Sequence, residues 1–396
     1  MITAKDLVKM RNALTEEYYN EVNNAPASGK PVVHITGHMP QEILYAMDII
    51  PAYPENYAPL IAAQGYAHEF CQTMEQRGYS SEVCGYAKAC IGAMFEGKGP
   101  FGGLPQPDAV ISCPNMCSSH PQWWDITSRY YNVPHFLLDA PHTNADPQQR
   151  HIDYFVGQMK EMVQFLENTL KLKFSEERLR QTVDLADQAN KYYIEILEML
   201  KISPSPLSFR DLCGHIFPIC VLSGTPKAVD FYKALRDFVA DRVASGIGIV
   251  EDERYRLAWD NIAIWHDMPV INYLEEHHAT IVYSTYASGT WGQRLDPDHP
   301  WESMARRYMI GWVCRLVGSQ IDLYRQKIKE YKINGVIFHV NRGCRPFTAG
   351  QYDLARQLKE KDGIPSLLIE GNMADPRGYS KSETRRLIDE FIEMLD

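Results

Sequence analysis

The chain has 396 residues, 45% hydrophobic and 23% charged, which is enough length for two or more domains and a large core. Its formal net charge of −10 argues against a nucleic-acid partner, which would want a basic face. The opening MITAKDLVKMRNALTEEYYNEV lacks an apolar core of signal-peptide length, and no stretch approaches the ~18 apolar residues of a membrane span, so a soluble, cytoplasmic protein without membrane contact is expected.

Residues 1–30 read as a helix with a polar tail ending at Gly29. VVHIT (Val32 to Thr36) reads as a short strand, followed by Gly37, His38, Met39 and Pro40; proline suits the first turn of a helix through QEILYAMDII. PAYPEN (Pro51 to Asn56) reads as a loop or short edge strand. A helical stretch runs through Cys71 and Met74 to Gly78, and another begins near Ser80 or Ser81, placing Cys84 on or near its first turn. Glycine and proline mark a loop from Gly97 to Asp108, and AVISC (Ala109 to Cys113) and HFLLD (His135 to Asp139) read as buried strands.

The middle is helical. Ile152, Phe155, Val156, Met159, Met162, Val163, Leu166 and Leu170 recur with a period of about 3.6 residues. Further helices cover about Glu176 to Met199, stopped by SPSP (Ser203 to Pro206), and about Lys227 to Val243. Strands return at TIVYST (Thr280 to Thr285), GVIFHV (Gly335 to Val340) and SLLIEG (Ser366 to Gly371). Helical patterns from Trp301 to Tyr331 and from Gly350 to Lys361 separate them. Ser380 and Glu383 have capping-box spacing ahead of a last helix from Arg385 to Leu395. Strands alternating with helices predict an α/β fold: two Rossmann/flavodoxin-like lobes with parallel sheets, joined by a helical middle segment. The expected boundaries are an N-terminal helix (1–30), a first lobe (31–150), the helical segment (151–245) and a second lobe (246–396).

Nine cysteines is an odd number, and in a reducing compartment structural disulfides are not expected. Cys71, Cys213, Cys220 and Cys314 read as buried small hydrophobes. Cys84, Cys117 and Cys344 stand in settings suited to chemistry, two of them soon after strand-like runs, where open α/β sheets assemble sites. Three thiolates converging from distant segments suggest a metal cluster with one open corner. Cys113 and Cys117 have C-x3-C spacing, but neither the paired ligand pairs of zinc sites nor a ferredoxin run is present. Spacing alone therefore leaves open a cluster, zinc, or buried thiols. Gly343 would let the backbone approach something closely. Arg342 and Arg345 would lower the Cys344 pKa or neutralise a cluster or phosphate, or else brace nearby carboxylates. Neither a dinucleotide-binding or P-loop pattern nor a serine elbow is found.

YPEN (Tyr53 to Asn56), GYSSEVCGYAK (Gly78 to Lys88), LPQPDAVISCPNMC (Leu104 to Cys117), HVNRGC (His339 to Cys344) and IEGNMADPR (Ile369 to Arg377) occur in order. Together, from about Pro31 to Leu395, they resemble the 2-hydroxyacyl-CoA dehydratase and benzoyl-CoA reductase family. The resemblance implies a [4Fe-4S] cluster held by Cys84, Cys117 and Cys344, with Cys113 as a backup ligand or supporting thiol. It implies an acyl-CoA substrate, a heterodimer with a related cluster-bearing subunit, and a homodimeric iron–sulfur ATPase that supplies electrons singly. One branch eliminates water from a (R)-2-hydroxyacyl-CoA through a ketyl radical; the other reduces the ring of benzoyl-CoA.

Glu55 looks similar to a family acid near the active site, and is expected to be a general acid or base with a pKa raised by an apolar pocket. His38 stands where dehydratases often offer a small hydroxyl residue, and is expected either to donate protons to a substrate or to be a histidine hydrogen-bonded at a strand end. His120 is a candidate relay group, while Trp123 and Trp124 wall the pocket or fill core. Glu370, Asp375 and Arg377 are expected to form a structural network, with Asn372 where relatives often carry Asp. Phe231 and Tyr232 lean toward the reductase branch. The resemblance leads to a dehydratase, with the reductase second. A double-cubane electron-transfer relative and a zinc-binding structural protein remain as other classes.

Overall fold

The computed structural model describes residues 2–143 and 146–396. Two four-stranded sheets organise it. The first comprises β1 (Val32–Ile35), β2 (Ile50–Ala52), β3 (Ala109–Ser112) and β4 (His135–Leu137); the second comprises β5 (Tyr255–Asp260), β6 (Ala279–Ser284), β7 (Gly335–Asn341) and β8 (Ser366–Gly371). Every neighbouring pair is parallel. The orders are β2-β1-β3-β4 and β6-β5-β7-β8, the same winding used twice. In each sheet the chain reverses direction of travel between the two central strands. The crevice beyond the carboxyl ends of such strands is where open sheets bind ligands. Thr36–His38 and Cys113–Cys117 leave the first sheet there, and Asn261–Ile262 and Arg342–Cys344 leave the second.

Five helices lie between the sheets in sequence: Gln149–Leu170, Glu176–Met199, Phe209–Gly214, Phe217–Val221 and Pro226–Ala244. Ile152, Phe155, Met159, Met162, Val163 and Leu166 are the buried face of the first, whereas Val156 and Leu170 lie only partly buried at its margin. The N-terminal helix Ala4–Ser28 starts at a Thr3–Asp6 capping box and ends at Gly29, whose φ of 70° suits glycine. It packs on Pro226–Ala244, which packs in turn on Glu176–Met199.

Several local expectations change. β5 was hidden because YRLAWD carries two charges. Both are buried and paired: Arg256 donates to the Tyr331 and Leu200 carbonyls, and Asp260 accepts from Gln351 and Tyr324. Such partners are what allow charges inside a central strand. The pattern from Trp301 to Tyr331 is not one helix; it splits into Pro300–Met309, a 3-10 turn at Trp312–Cys314, and Val317–Tyr331. A Cβ on Gly311 would stand 2.9 Å from His38 Nε2, so this break lets the chain pass His38 closely. PAYPEN divides into edge strand β2 and the first turn of the helix Pro54–Ala63. HFLLD forms an edge strand, and its Leu137 is 47% exposed.

The lobes are tied by two buried charge clusters. Arg307 and Glu42, both fully buried, pair at 3.1 Å, and Tyr308 Oη also donates to Glu42. Lys88 donates to Glu75 and Asp375, each at 3.0 Å, and Arg377 reaches both carboxylates. Asp375 and Arg377 thus belong to a structural network as expected, with Lys88 and Glu75 as partners. Glu370 stands apart, paired with exposed Arg342.

Candidate functional site

One cavity opens at the two switch points. Cys84, Cys117 and Cys344 all line it, together with Gly37, Glu55 and His120. Each thiol is presented by a chain turn. Cys84 is itself the N-cap of the helix Gly85–Glu96, so that helix starts after the cysteine and not at Ser80 or Ser81. Cys117 lies in the loop after β3, where the Ser119 N–H donates to its Sγ at 3.4 Å. Cys344 follows β7 and caps the short helix Arg345–Thr348.

Gly343 does what its position suggested. Its φ is +81°, and a Cβ there would meet the Val83 carbonyl oxygen at 3.1 Å and Cys84 Cα at 3.3 Å. Close backbone passage therefore sets the Cys344 loop beside Cys84. Gly85 is equally constrained, since a Cβ would collide with Asn372 Oδ1 at 2.1 Å. Asn372 Oδ1 accepts from the Ala374 and Asp375 N–H groups, while its Nδ2 donates to the Arg342 carbonyl, a bond that Asp could not make.

Burial pushes the Cys84 thiol up to about 12, with Cys117 adding to the effect, and pushes Cys344 well above its ordinary value, with Cys84 and Cys117 adding. The three sulfurs are therefore electrostatic neighbours. The expectation that Arg342 and Arg345 depress Cys344 fails: Arg342 is exposed on Glu370, and Arg345 lines a neighbouring groove that shares Cys84. Buried thiols of this kind ionise when a metal centre takes them as ligands. Among the described residues, no three His, Cys, Asp or Glu side chains surround a single-ion position.

Glu55, in the first turn of Pro54–Ala63, accepts from the Gly37 N–H and pairs with His120 Nε2 at 2.9 Å. Burial alone would raise this carboxyl; the charge and hydrogen bond of His120 and the Gly37 N–H hold it below its ordinary value. The raised pKa expected of Glu55 is thus corrected. Burial pulls His120 down, but Glu55 outweighs it, and the ring rises to about 9. His120 Nδ1 faces the Cys113 carbonyl at 3.2 Å. Cys113 is buried and does not line the cavity; its backbone carbonyl, not its thiol, is what faces His120.

His38 is not among the lining residues. Its φ is +51°, its ring stands edge-on to Trp291 and Tyr308, and neither buried ring nitrogen has a hydrogen-bond partner. Burial, then Arg307, lowers it to about 3, so the ring is neutral. Trp123 lines the cavity and is also buried; Trp124 is core, donating to the His34 carbonyl. Phe231 and Tyr232 are core, with Tyr232 Oη donating to the His215 carbonyl. Cys220 is buried as expected, but it also lines the cavity. Tyr86, Ile262, Tyr286, Trp291, Val313, Phe347 and Met373 were missed as lining residues. Tyr86 and Met373 lie within GYSSEVCGYAK and IEGNMADPR, but the others are spread along the chain outside any quoted motif, and only the fold gathers them.

The family described as "2-hydroxyglutaryl-CoA dehydratase, D-component" matches residues 36–395. The chain is 27% identical over 379 residues to the (R)-phenyllactyl-CoA dehydratase alpha subunit of Clostridium sporogenes, covering 94% of this chain and 91% of that protein. It is 26% identical over 396 residues to the (R)-2-hydroxyisocaproyl-CoA dehydratase alpha subunit of Clostridioides difficile, covering 97% and 95%. A benzoyl-CoA reductase subunit of Thauera aromatica is 25% identical over 415 residues, covering 100% and 96%.

Proposed function

Because the chain belongs to the 2-hydroxyglutaryl-CoA dehydratase D-component family, we propose that it is a catalytic subunit of a (R)-2-hydroxyacyl-CoA dehydratase. The observation that carries this reading is one cavity lined by Cys84, Cys117, Cys344 and a Glu55–His120 pair. Cys84, Cys117 and Cys344 would hold a [4Fe-4S] cluster, which supplies one-electron chemistry and an iron corner without a cysteine. A related subunit and a homodimeric iron–sulfur ATPase complete the proposed system, in the cytoplasm. Among the described residues, no helix is long and apolar enough to cross a membrane.

The chain's own residues have three tasks. The cavity wall excludes water from the reactive thioester. His120 Nε2 and Glu55 share a proton at 2.9 Å, so the imidazolium can give it to the departing α-hydroxyl and the carboxylate can receive the β-proton. The net change is loss of water and formation of an α,β-double bond. The Gly37 N–H and the Cys113 carbonyl orient that pair. His38 stands behind Trp291 and supports the wall.

A component of ATP-dependent benzoyl-CoA reductase is the second reading. It is favoured by the full-length likeness to a reductase subunit. Anaerobic purification with iron and sulfide analysis, then electron paramagnetic resonance of Cys84→Ser, Cys117→Ser and Cys344→Ser, tests the ligands; an intact cluster in all three would refute them. Assay with partner subunit and activator on (R)-2-hydroxyacyl-CoAs and benzoyl-CoA decides the branch. Turnover of neither would favour a double-cubane electron-transfer relative.

A further inference from the structure

The cavity's lining bears on the acyl group it would take. Among the described residues lining it, the charged side chains are Glu55 and His120, which are spent on each other. No lysine or arginine is in the wall. The second lobe contributes Ile262, Tyr286, Trp291, Val313, Phe347 and Met373, an apolar and aromatic surface. Two nearby arginines are committed elsewhere, Arg307 fully buried on Glu42 and Arg342 exposed on Glu370, while Arg345, beside Cys344, is exposed and lines the neighbouring groove, not this cavity. Of the two hydroxyls the second lobe brings, that of Thr290 donates to the Thr285 carbonyl and that of Tyr286 is carried on an aromatic ring.

Resting on the acyl-CoA reading above, we infer that the acyl group is uncharged and apolar, a branched alkyl or aryl chain and not a dicarboxylate. A second carboxylate placed here would leave water without a cation to receive it, and would share the cavity with Glu55. An aryl or branched chain instead buries its surface against flat aromatic faces. Selectivity therefore comes from the second lobe, whereas the Glu55–His120 pair and two of the three thiols come from the first.

The test is calorimetric binding of unreactive thioesters, lacking the α-hydroxyl, to the full-length protein purified anaerobically. Hydrocinnamoyl-CoA and isocaproyl-CoA are compared with acetyl-CoA and glutaryl-CoA. Both apolar thioesters are expected to bind on the order of 100-fold more tightly than glutaryl-CoA, and about tenfold more tightly than acetyl-CoA. Glutaryl-CoA binding as tightly as isocaproyl-CoA would overturn the inference and leave the acyl-CoA reading standing. Failure of every thioester to bind would overturn both. Val313→Lys is expected to raise glutaryl-CoA affinity relative to isocaproyl-CoA by about tenfold. Should that variant not fold, Ile262→Ala is the second: hydrocinnamoyl-CoA affinity is expected to fall about tenfold with glutaryl-CoA unchanged. Equal losses for both ligands would count against the inference.

Discussion

Removing the lysine at the centre of the seam, Lys88→Met, is expected to destabilise the protein by about 3 kcal/mol. Lys88 is 3% exposed, and its Nζ donates to Glu75, Asp375 and the Ser81 carbonyl. Breaking a buried ion pair by deleting one partner costs roughly 3–5 kcal/mol, because the remaining charge is left buried. Arg377 still reaches Glu75 at 2.6 Å and Asp375 at 2.9 Å, which places the expected loss at the low end of that range. Met keeps most of the stem's apolar volume, so little of the effect is a cavity. Burial would raise Asp375, but Arg377 and Lys88 hold it down at about 2. A carboxylate held low in the folded state contributes stability that is complete above its unfolded pKa of 3.8 and is lost as pH falls toward about 2. The penalty of Lys88→Met is therefore expected to be full at pH ~7 and to shrink below pH ~4. Anaerobic urea titrations of the wild type, Lys88→Met, Asp375→Asn and the double variant measure it. The double-variant coupling is expected to be about 1–3 kcal/mol. A single-variant loss under about 1 kcal/mol, or strictly additive losses, would refute the reasoning.

Other outcomes follow from the same geometry. His120→Gln removes the proton shared with Glu55 and is expected to lower kcat/KM by roughly 100-fold or more, with the fold checked by circular dichroism. Arg307→Met leaves the buried Glu42 carboxylate without its cation and is expected to cost roughly 3–5 kcal/mol in denaturant titration; a loss near zero would show that water reaches Glu42. Gly343→Val forces a β-branched residue to φ +81° against the Val83 carbonyl. It is expected to cut iron content after reconstitution, while Gly363→Ala, at a left-handed cap with open space around it, leaves iron content at wild-type level.

The parallel α/β plan was legible wherever strands were uninterrupted apolar runs, as at GVIFHV, and wherever helices kept their period, as at Glu176–Met199. β5 was not, because its two charges are satisfied only by residues far along the chain. The break at Gly311 was equally hidden, since the residue that the chain passes there, His38, stands in the other lobe. In the site, the cysteines and Gly343 carried local signals: strand ends, a glycine and a motif. The Glu55 environment did not, because what lowers its pKa is a ring supplied after β3. Sequence reasoning supplied an apolar surrounding for Glu55 and left out its partner. The placement of His38 depends in the same way on Trp291 and Tyr308, from the second lobe.

The close passage of Gly343 over Val83 and Cys84 also sets an order of events during translation. The first lobe can pair its four strands once Leu137 has emerged, and domains tend to fold as they are made. At that stage Cys84 and Cys117 are present but Cys344 has not been synthesised, and the wall it completes is open to water. The cavity closes only when β7 has paired with β5 and the turn after it has come to rest on the earlier loop. A nascent chain therefore holds an unfinished thiol site for most of its synthesis. On the proposed reading, cluster loading falls to the released, full-length protein, and overproduction that outpaces iron supply should accumulate folded chains low in iron.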